Sequence, residues 1–270
     1  MSVEEMQVTA QKLRRTVIDM IYHAGSGHSG GSLSIAEIIT VLYDEVMNIR
    51  ANEPLWEHRD RFILSKGHGA PALYATLSRK GYFDPSRLKT LRQLDSCLQG
   101  HPCMFKLEGV DMSTGSLGMG LSVGVGMALA AKTLRRKHRV FVLCGDGELQ
   151  EGQNWEAMMS AAKWGLDNLT VIIDRNGVQL DGKEVEVMPL GDLKLKMEAF
   201  GMRVIACDGH DTGDLTAAFQ KAMSAGGPAV VLARTVKGKG VSFMEGKAMW
   251  HGKPLTPQEY AKAREELGED

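Results

Sequence analysis

The sequence has no excess of charge of either sign. Its 32 basic and 33 acidic side chains leave a formal charge of −1. A protein that binds nucleic-acid phosphates or an anionic membrane through charge would carry a marked basic excess, so we expect neither partner. With 43% hydrophobic and 24% charged residues over 270 positions, the composition is typical of a soluble globular protein.

Cysteine is scarce and long apolar runs are absent. The cysteines form no Cys-x-x-Cys pair: Cys97, Cys103, Cys144 and Cys207. Four are too few for a disulfide framework in a chain of this size, so we expect each to be a buried apolar residue. The start of the chain lacks the basic-then-apolar order of a secretory signal, and the most apolar stretch, 117–131, is too short and too glycine-rich to span a bilayer. We therefore expect a soluble cytoplasmic protein.

Glycine, in contrast, is abundant: 31 of 270 residues, about 11%, against an average of about 7%. Between the glycines, five short apolar runs rich in β-branched residues predict strands at 61–65, 140–144, 169–174, 203–208 and 229–236. Because polar residues do not alternate within them, they suit strands buried on both faces. Helical patterns separate the runs, which predicts an α/β fold: a mostly parallel sheet with helices on both faces, as one domain over 1–270.

Capping residues mark several predicted helix starts. Ser34 and Glu37 have the spacing of a capping box, and Thr256 and Glu259 repeat it near the end of the chain. A helix over 116–132 is small and apolar all round and is therefore predicted to be buried. It is either an internal helix or a subunit contact, because small residues allow close approach.

Polar side chains follow two neighbouring predicted strands. Asp146 lies between two glycines after the run 140–144, and Asn176 follows the run 169–174, thirty positions later. Ligands of open parallel sheets bind beyond the carboxyl ends of the strands, so both residues are expected at one sheet edge. A carboxylate and an amide oxygen suit Mg²⁺ or Ca²⁺ rather than Zn²⁺. The glycines would let backbone N–H groups face an anion, so we predict a diphosphate cofactor held between a metal ion and the backbone.

Alternative interpretations of these glycines are weaker. Gly145-x-Gly147 followed by Gly152 does not have the G-x-G-x-x-G spacing of dinucleotide binders, and Lys237-Gly-Lys239-Gly lacks the Walker spacing. An Asp-Gly pair after a strand is often only a turn. The acidic start of the following helix and the asparagine thirty positions on favour the cofactor site.

Five of the eight histidines adjoin a glycine. Four lie in segments expected to open at the same sheet edge: His28, His68, His101 and His251. His210 is expected to be a turn or capping residue, and the others to be structural: His23, His58 and His138. No zinc spacing such as H-E-x-x-H is present. Neutral imidazoles instead suit hydrogen bonding to sugar hydroxyls and proton transfer near neutral pH.

These segments together resemble the transketolase family. GDGELQEG followed by the asparagine of IIDRN is similar to the thiamin diphosphate motif, and GSGHSGGSL, LSKGHGAPALY, QGHP and STGSLG are similar to transketolase segments in the same order. KGKGVSF followed by WHG is similar to a later segment, so the resemblance covers about residues 10–255. Ser29 replaces the proline usual after the first histidine, and Met119 stands where glutamine is commoner.

The resemblance implies the residues that hold the cofactor. The metal ligands would be Asp146, Asn176 and the backbone carbonyl of Val178, with Mg²⁺ as the ion and Ca²⁺ or Mn²⁺ as alternatives. The diphosphate contacts would be Gly147, His68 and His251. The carbonyl of Gly115 and the side chain of Leu117 would position the aminopyrimidine and thiazolium rings. Glu151 resembles the family's buried glutamate that couples neighbouring active sites.

The resemblance also implies a reaction and a substrate class. His28 and His251 resemble the pair that handles the donor hydroxyl whose proton leaves before carbon–carbon cleavage, and His101 resembles the residue that recognises the hydroxyl on the donor's first carbon. The implied activity is transfer of a two-carbon ketol unit from a ketose, or ketose phosphate, to an aldose or aldose phosphate. The bound cofactor would supply the carbon–carbon bond chemistry.

The chain ends before the second half of a full transketolase, which supplies the glutamate that activates the aminopyrimidine. The terminal glutamates are expected to be solvated: Glu259, Glu265, Glu266 and Glu269. We therefore expect the N-terminal half of a split transketolase, joined by a second copy of itself and by separate C-terminal subunits in an α2β2 assembly. Alternatives are one chain of another thiamin enzyme, such as a 2-oxo-acid dehydrogenase or a deoxyxylulose-phosphate synthase, and a non-catalytic thiamin-binding module.

Overall fold

The computed structural model describes residues 1–268, and within them five parallel strands form one sheet in the order β1-β2-β3-β5-β4. The strands are β1 Arg61–Leu64, β2 Val140–Gly145, β3 Leu169–Arg175, β4 Arg203–Asp208 and β5 Ala229–Arg234. All five predicted strands are confirmed to within two residues at either end. Because every neighbouring pair is parallel, the carboxyl ends of β1, β2, β3 and β5 lie side by side at one edge.

Helices cover both faces of the sheet, as predicted. They are α1 Val3–Ala24, α2 Ser29–Leu33, α3 Ala36–Val41, α4 Ala70–Arg79, α5 Met119–Thr133, α6 Gly152–Lys163, α7 Glu184–Val187, α8 Leu193–Ala199, α9 Thr212–Met223 and α10 Pro257–Leu267. Short 3₁₀ helices lie at Gly67–Gly69, Pro85–Thr90, Gly147–Gln150 and Ala248–His251, and a π-helical turn lies at Leu42–Val46. The first and third of these 3₁₀ helices begin within three residues of the ends of β1 and β2, where the site described below is formed.

The sheet has a hydrophobic core on each of its two faces, because successive side chains of a strand point to opposite faces. Phe141 and Leu143 pack into a core shared with α1, α3, α4 and α9. Val140 and Val142 pack into a second core shared with α5, α6 and α8. Burial on both faces explains why these strands are continuously apolar rather than alternating.

One predicted capping box is confirmed and one is wrong. Thr256 caps α10, and Glu259 completes the box. Ser34 is not the N-cap of α3, which begins at Ala36 after Ile35: Ser34 ends α2 instead, and its hydroxyl donates to Oδ2 of Asp174 at 2.7 Å. The buried carboxylate, which no local sequence pattern reveals, is the stronger hydrogen-bond acceptor for this hydroxyl.

Helix α5 is buried on one face only, so its predicted burial all round is wrong. Its inner face packs so tightly that a Cβ added at Gly124 would lie 2.4 Å from Cγ2 of Val142. Its outer face exposes Met119, Gly126 and Ala130. A Cβ at Gly126 would meet nothing within 4 Å. Of the two alternatives for this helix, the fully internal one is therefore excluded for the single chain.

Helix α10 packs Ala263 and Leu267 against α1, whereas Glu265 and Glu266 are exposed as predicted. Glu259 is half-buried, because it forms an ion pair with Lys253 and closes the capping box. Glu269, the fourth of the predicted solvated glutamates, lies outside the described residues.

Three of the four cysteines are buried as expected, and Cys103 is only partly buried. All four are free thiols. Between residues 1 and 268, no helix combines the length and the apolar character needed to cross a membrane.

Candidate active site

The ends of β2 and β3 bring Asp146 and Asn176 to one edge of the sheet. Oδ1 of Asp146 accepts a hydrogen bond from the N–H of Gly147 at 2.8 Å. Its Oδ2 accepts one from the N–H of Gly177 at 2.5 Å, and Gly177 directly follows Asn176. The two residues predicted to hold a metal are therefore neighbours in the fold.

The amide of Asn176 is held in one orientation. Its Nδ2 donates to Oδ2 of Asp174 at 3.0 Å, and its Oδ1 accepts from the N–H of Val178 at 3.1 Å. Asp174 is fully buried and lies at the end of β3. Because the carboxylate can only accept, it fixes which end of the amide is the oxygen.

These strand ends form the floor of a cavity of about 260 Å³. Its walls include most of the predicted cofactor-binding residues: His68, Leu117, Asp146, Gly147, Glu151, Asn176, Val178 and His251. Two buried lysines also line it, Lys66 and Lys237. Larger depressions on the surface do not combine so many charged and imidazole groups, so this cavity is the candidate site.

The four histidines expected at this edge form a cluster. The ring of His28 lies 5.6 Å from that of His68, 6.1 Å from that of His101 and 5.2 Å from that of His251, between centroids. The rings of His68 and His251 are 4.9 Å apart. The chain supplies them from four separate segments, and His68 and His251 lie in the 3₁₀ helices Gly67–Gly69 and Ala248–His251.

The clustered imidazoles are neutral at pH 7. Burial, with the positive charge of Arg92 next, lowers the pKa of His28 to about 4. Burial and Lys237 lower the pKa of His251 to about 3. Burial also lowers the pKa of His68 and of His101. Each neutral ring offers one donor and one acceptor, the form that pairs with sugar hydroxyls.

Comparison with known proteins identifies the family to which this chain belongs. Residues 5–270 match the family described as the transketolase thiamine diphosphate binding domain. The chain belongs to the transketolase family. It is 44% identical, over 97% of its length and 96% of the relative's, to a 6-deoxy-6-sulfo-D-fructose transketolase subunit of Clostridium sp. (strain MSTE9). It is 42% identical to an apulose-4-phosphate transketolase subunit of Actinobacillus succinogenes, over all of its own length and 98% of the relative's.

A solved transketolase from Campylobacter jejuni has the same fold, with a TM-score of 0.94 at 35% identity. The match covers all of this chain and 44% of that one, so the chain spans less than half of the longer transketolase. The predicted thiamin diphosphate-binding fold is confirmed, and so is the prediction of one chain of a split transketolase. The alternatives, another thiamin enzyme class or a non-catalytic module, find no support among these relatives.

The transketolase resemblance assigned a buried glutamate to Glu151, but in this chain Glu151 is exposed. The buried carboxylate of the segment is Glu148, which accepts hydrogen bonds from the Ser65 hydroxyl at 2.5 Å and from the N–H of Gly118 at 2.9 Å. Glu148 lies inside the 3₁₀ helix Gly147–Gln150, whose turn directs it inward, whereas Glu151 ends that helix at the rim of the cavity. Glu151 is therefore exposed in the single chain, and its burial between neighbouring active sites of an assembly stays a prediction.

Gly115 and Leu117 lie in the same loop but differ in position. Leu117 is partly exposed and lines the cavity. Gly115 does not line it: its φ of 134° and its packing against His101, whose Cγ would be 3.0 Å from an added Cβ, make glycine necessary there. The loop thereby holds His101 beside the site.

Sequence reasoning missed three charged residues: Lys66, Asp174 and Lys237. Lys66 follows β1 and forms a buried ion pair with Asp174 at 2.5 Å. Lys237 lies beyond β5, and its Nζ is 3.1 Å from the carbonyl oxygen of Val178 and 2.9 Å from Nδ1 of His251. Each lies at or just after a strand's carboxyl end, so the rule that found Asp146 applies to them as well.

The site fits a divalent cation with oxygen ligands. Burial and the negative charge of Asp174 raise the pKa of Asp146 to about 6, which a nearby cation would offset. Asp146, the amide oxygen of Asn176 and the carbonyl of Val178 form a hard-oxygen set with one carboxylate, as Mg²⁺ prefers beside phosphates. Among residues 1–268, no group of three or more His, Cys, Asp or Glu side chains is placed to hold a metal. The proposed oxygen set is not a group of that kind. Asp146 is its only His, Cys, Asp or Glu side chain, and its other two ligands are the amide oxygen of Asn176 and the backbone carbonyl of Val178.

Proposed function

We propose that this chain is the diphosphate-binding subunit of a two-chain transketolase that moves a two-carbon ketol unit from a ketose or its phosphate to an aldose. The observation that carries the proposal is the convergence of two groups on one cavity. Asp146 and Asn176 form a hard-oxygen edge, and four neutral histidines lie beside it. The first group suits a metal-bound diphosphate, and the second suits a polyhydroxylated substrate.

Asp146, Asn176 and the carbonyl of Val178 would hold Mg²⁺, with Ca²⁺ or Mn²⁺ as substitutes. Gly147, His68 and His251 would contact the diphosphate of thiamin diphosphate. When bound, that cofactor supplies the carbon–carbon bond chemistry of the reaction. Lys66 and Lys237 place positive charge at the same wall of the cavity, which favours a dianionic group there.

The histidines would act on the sugar. The rings of His28 and His251 lie 5.2 Å apart in an edge-to-face arrangement, close enough for both to contact the donor hydroxyl whose proton leaves. Nδ1 of His28 accepts from Arg92 and Nδ1 of His251 accepts from the ammonium of Lys237, so in both neutral rings Nε2 carries the proton and would donate a hydrogen bond to the sugar. His101 would recognise the hydroxyl on the donor's first carbon, and Gly115 and Leu117 would seat the two rings of the cofactor.

The partner chain would supply the rest of the active site. The relatives that match this chain along their whole length are named as transketolase subunits, and the longer transketolases have a further half that this chain does not match. We propose a C-terminal subunit with the pyrimidine-binding half. A second copy of this chain would pack on the exposed face of α5 in an α2β2 assembly, with Glu151 coupling the two sites.

Two relatives are named for a sulfonated ketose and for a phosphorylated one. We propose that the donor of this enzyme also carries an anionic group. We also propose that the enzyme is cytoplasmic, where its four cysteines stay reduced.

The test is co-expression of the chain with the product of the neighbouring gene, followed by a donor and acceptor screen with Mg²⁺ and thiamin diphosphate. The expected result is two-carbon transfer by the complex and none by the chain alone. Full activity of the purified chain alone would overturn the two-chain assignment. A complex that neither binds the cofactor nor transfers ketol units would overturn the function itself.

A further inference from the structure

We propose that His210, which does not line the cavity, is a positioning residue that holds Lys237 in the cofactor site. The inference rests on the proposed function for its consequence in binding, but its structural part concerns this chain alone. His210 follows β4 at the far edge of the sheet, and the sequence indicated only a turn or capping residue there. Asp211, not His210, caps α9.

Both ring nitrogens of His210 are engaged. The backbone N–H of Val236 donates to Nε2 at 2.8 Å, which makes Nε2 an acceptor. Nδ1 must then carry the proton, which it shares with Oε2 of Glu37 at 3.0 Å. The ring is therefore a neutral bridge between a carboxylate and one particular backbone amide.

The carboxylate behind the ring is itself immobile. Glu37 is 1% exposed, and Nη2 of Arg14 lies 2.5 Å from the same Oε2. Although burial opposes it, hydrogen bonding from His210 and the charge of Arg14 lower the pKa of Glu37, so the group stays ionised. Arg14 also donates to the carbonyl of Leu33 at the end of α2. The bridge thus starts from the packed helices α1 and α3, not from a mobile surface.

The amide at the other end of the bridge directly precedes Lys237. On the opposite side of Lys237, the N–H of Gly238 donates to the carbonyl of Gly30 at 3.0 Å. The lysine stem runs across Gly30, where an added Cβ would lie 3.0 Å from Cγ of Lys237. The backbone is therefore held on both flanks of Lys237, and the carbonyl of Lys237 itself accepts from the N–H of Gly246 at 2.9 Å. His210 provides the attachment at Val236, on the N-terminal flank.

The position of Lys237 depends on these attachments because its ammonium has neutral hydrogen-bonding partners. Its Nζ contacts carbonyl oxygens and an imidazole: the carbonyls of Val178 and Gln179 and Nδ1 of His251. Lys66 differs, since the carboxylate of Asp174 holds its ammonium directly at 2.5 Å. Loss of the His210 bridge should therefore release Lys237 and leave Lys66 in place.

Two substitutions separate this role from simple support of Glu37. In His210→Asn, the side-chain amide occupies the position of Nδ1 and can still donate to Glu37 but cannot reach Val236. In His210→Gln, the longer side chain brings an acceptor oxygen to the position of Nε2. A positioning role predicts that Gln preserves the site and Asn does not, whereas a purely structural role at Glu37 predicts the reverse order.

The first measurement uses the chain without cofactor: the acetylation rates of Lys237 and Lys66 by mass spectrometry. We expect Lys237 to react several times faster in His210→Asn than in wild type, to stay protected in His210→Gln, and Lys66 to be unchanged in both. His138→Ala is the matched control, because His138 is 8% exposed and lies before β2 at the opposite end of the sheet. Equal Lys237 rates in wild type and His210→Asn overturn the proposal.

The second measurement is the thiamin diphosphate affinity of the two-chain complex at saturating Mg²⁺. Substitution of a residue that supports a ligand-binding group typically lowers affinity by about 10–100-fold. We therefore expect His210→Asn to bind thiamin diphosphate about tenfold more weakly than wild type. In a Lys237→Met background the same substitution should cause no further loss, because it acts through the lysine. Equal losses in both backgrounds contradict the proposal. Failure of wild type to bind the cofactor contradicts the proposed function instead, and the acetylation rates still decide the role of His210.

Discussion

The ammonium of Lys66 lies 2.5 Å from Oδ2 of Asp174, and neither side chain is more than 1% exposed. The carboxylate also accepts hydrogen bonds from Ser34, Thr235 and Asn176. Although burial raises the pKa of an acid, Lys66 and these hydroxyls hold the pKa of Asp174 below its ordinary value. The buried carboxylate of Asp174, at the end of β3, therefore binds three other parts of the chain beneath the cavity. These are the loop after α2, the segment after β1 and the segment after β5.

Breaking this pair should destabilise the fold strongly. Lys66→Met leaves the Asp174 carboxylate buried without its cation, and the loss of one partner of a buried pair costs about 3–5 kcal/mol. The expected result is a fall of that size in the free energy of unfolding, measured by urea denaturation. The double variant Lys66→Met/Asp174→Asn should recover part of the loss, and a double variant less stable than the single one would contradict this account.

Asp146→Ala should abolish Mg²⁺-dependent binding of thiamin diphosphate while the chain stays folded. It removes the only carboxylate of the oxygen set, so the loss should exceed the roughly 10–100-fold that accompanies loss of a group supporting a metal ligand. Calorimetric titration of the cofactor at fixed Mg²⁺ measures it. Asp167→Ala, an exposed aspartate paired with Lys132, is the control and should bind as wild type does. An unchanged titration for Asp146→Ala would remove the residue from the metal site.

Cofactor binding should weaken below about pH 6. The pKa of Asp146 is raised to about 6 by burial and by Asp174, and a metal ion binds the ionised carboxylate. Protons therefore compete with the metal as the pH falls through that value, and not in the neutral range above it. The check is the apparent Mg²⁺ affinity measured across mildly acidic and neutral pH. If the affinity stays constant across this range, Asp146 does not ligate the metal.

The histidine cluster should make the cofactor-free chain less stable in mild acid. The folded pKa values of His28 and His251 are about 4 and about 3, below the ordinary 6.5. For a base with a lowered folded pKa, the unfolded chain takes up the proton first, so stability falls as the pH drops from 6.5 towards 4 and is unaffected above 6.5. Titration of the imidazole C2 protons by NMR checks the values directly. Either ring titrating at its ordinary pKa would contradict the neutral cluster.

His101→Ala should affect donors selectively. If this residue recognises the first-carbon hydroxyl, its loss costs more with a hydroxymethyl ketone donor than with the corresponding methyl ketone. Steady-state kcat/KM for both donors with the two-chain enzyme gives the comparison, because the hydroxyl-specific loss appears only as a ratio. Equal losses for both donors would reassign the residue.

Two glycines of α5 offer a matched test of its exposed face. Gly124→Ala places a Cβ 2.4 Å from Val142, so overpacking should lower the free energy of unfolding by about 1–3 kcal/mol. Gly126→Glu meets nothing within 4 Å and replaces the poorer helix former, so stability should not fall. The added charge should instead reduce the mass of the two-chain complex in sedimentation. A complex of unchanged mass would exclude this face as a contact between copies.

The sequence by itself determined the layered α/β fold, the five strands and the edge at which the site lies. These follow from local patterns, since continuous apolar runs specify buried parallel strands and parallel strands end together. For the same reason Asp146 and Asn176 could be paired across thirty positions, and the glycine-flanked histidines could be assigned to one edge.

Only the tertiary structure decided which polar groups are buried and what they touch. Ser34 has the spacing of a helix cap but bonds Asp174, 140 positions away, and Lys66 reaches the same carboxylate across 108 positions. Glu148 rather than Glu151 turns inward because Glu148 lies inside the 3₁₀ helix, whereas Glu151 follows it with extended backbone. Such contacts depend on how separate elements pack, and a buried charge takes its partner from wherever the fold places one, so no local pattern encodes them.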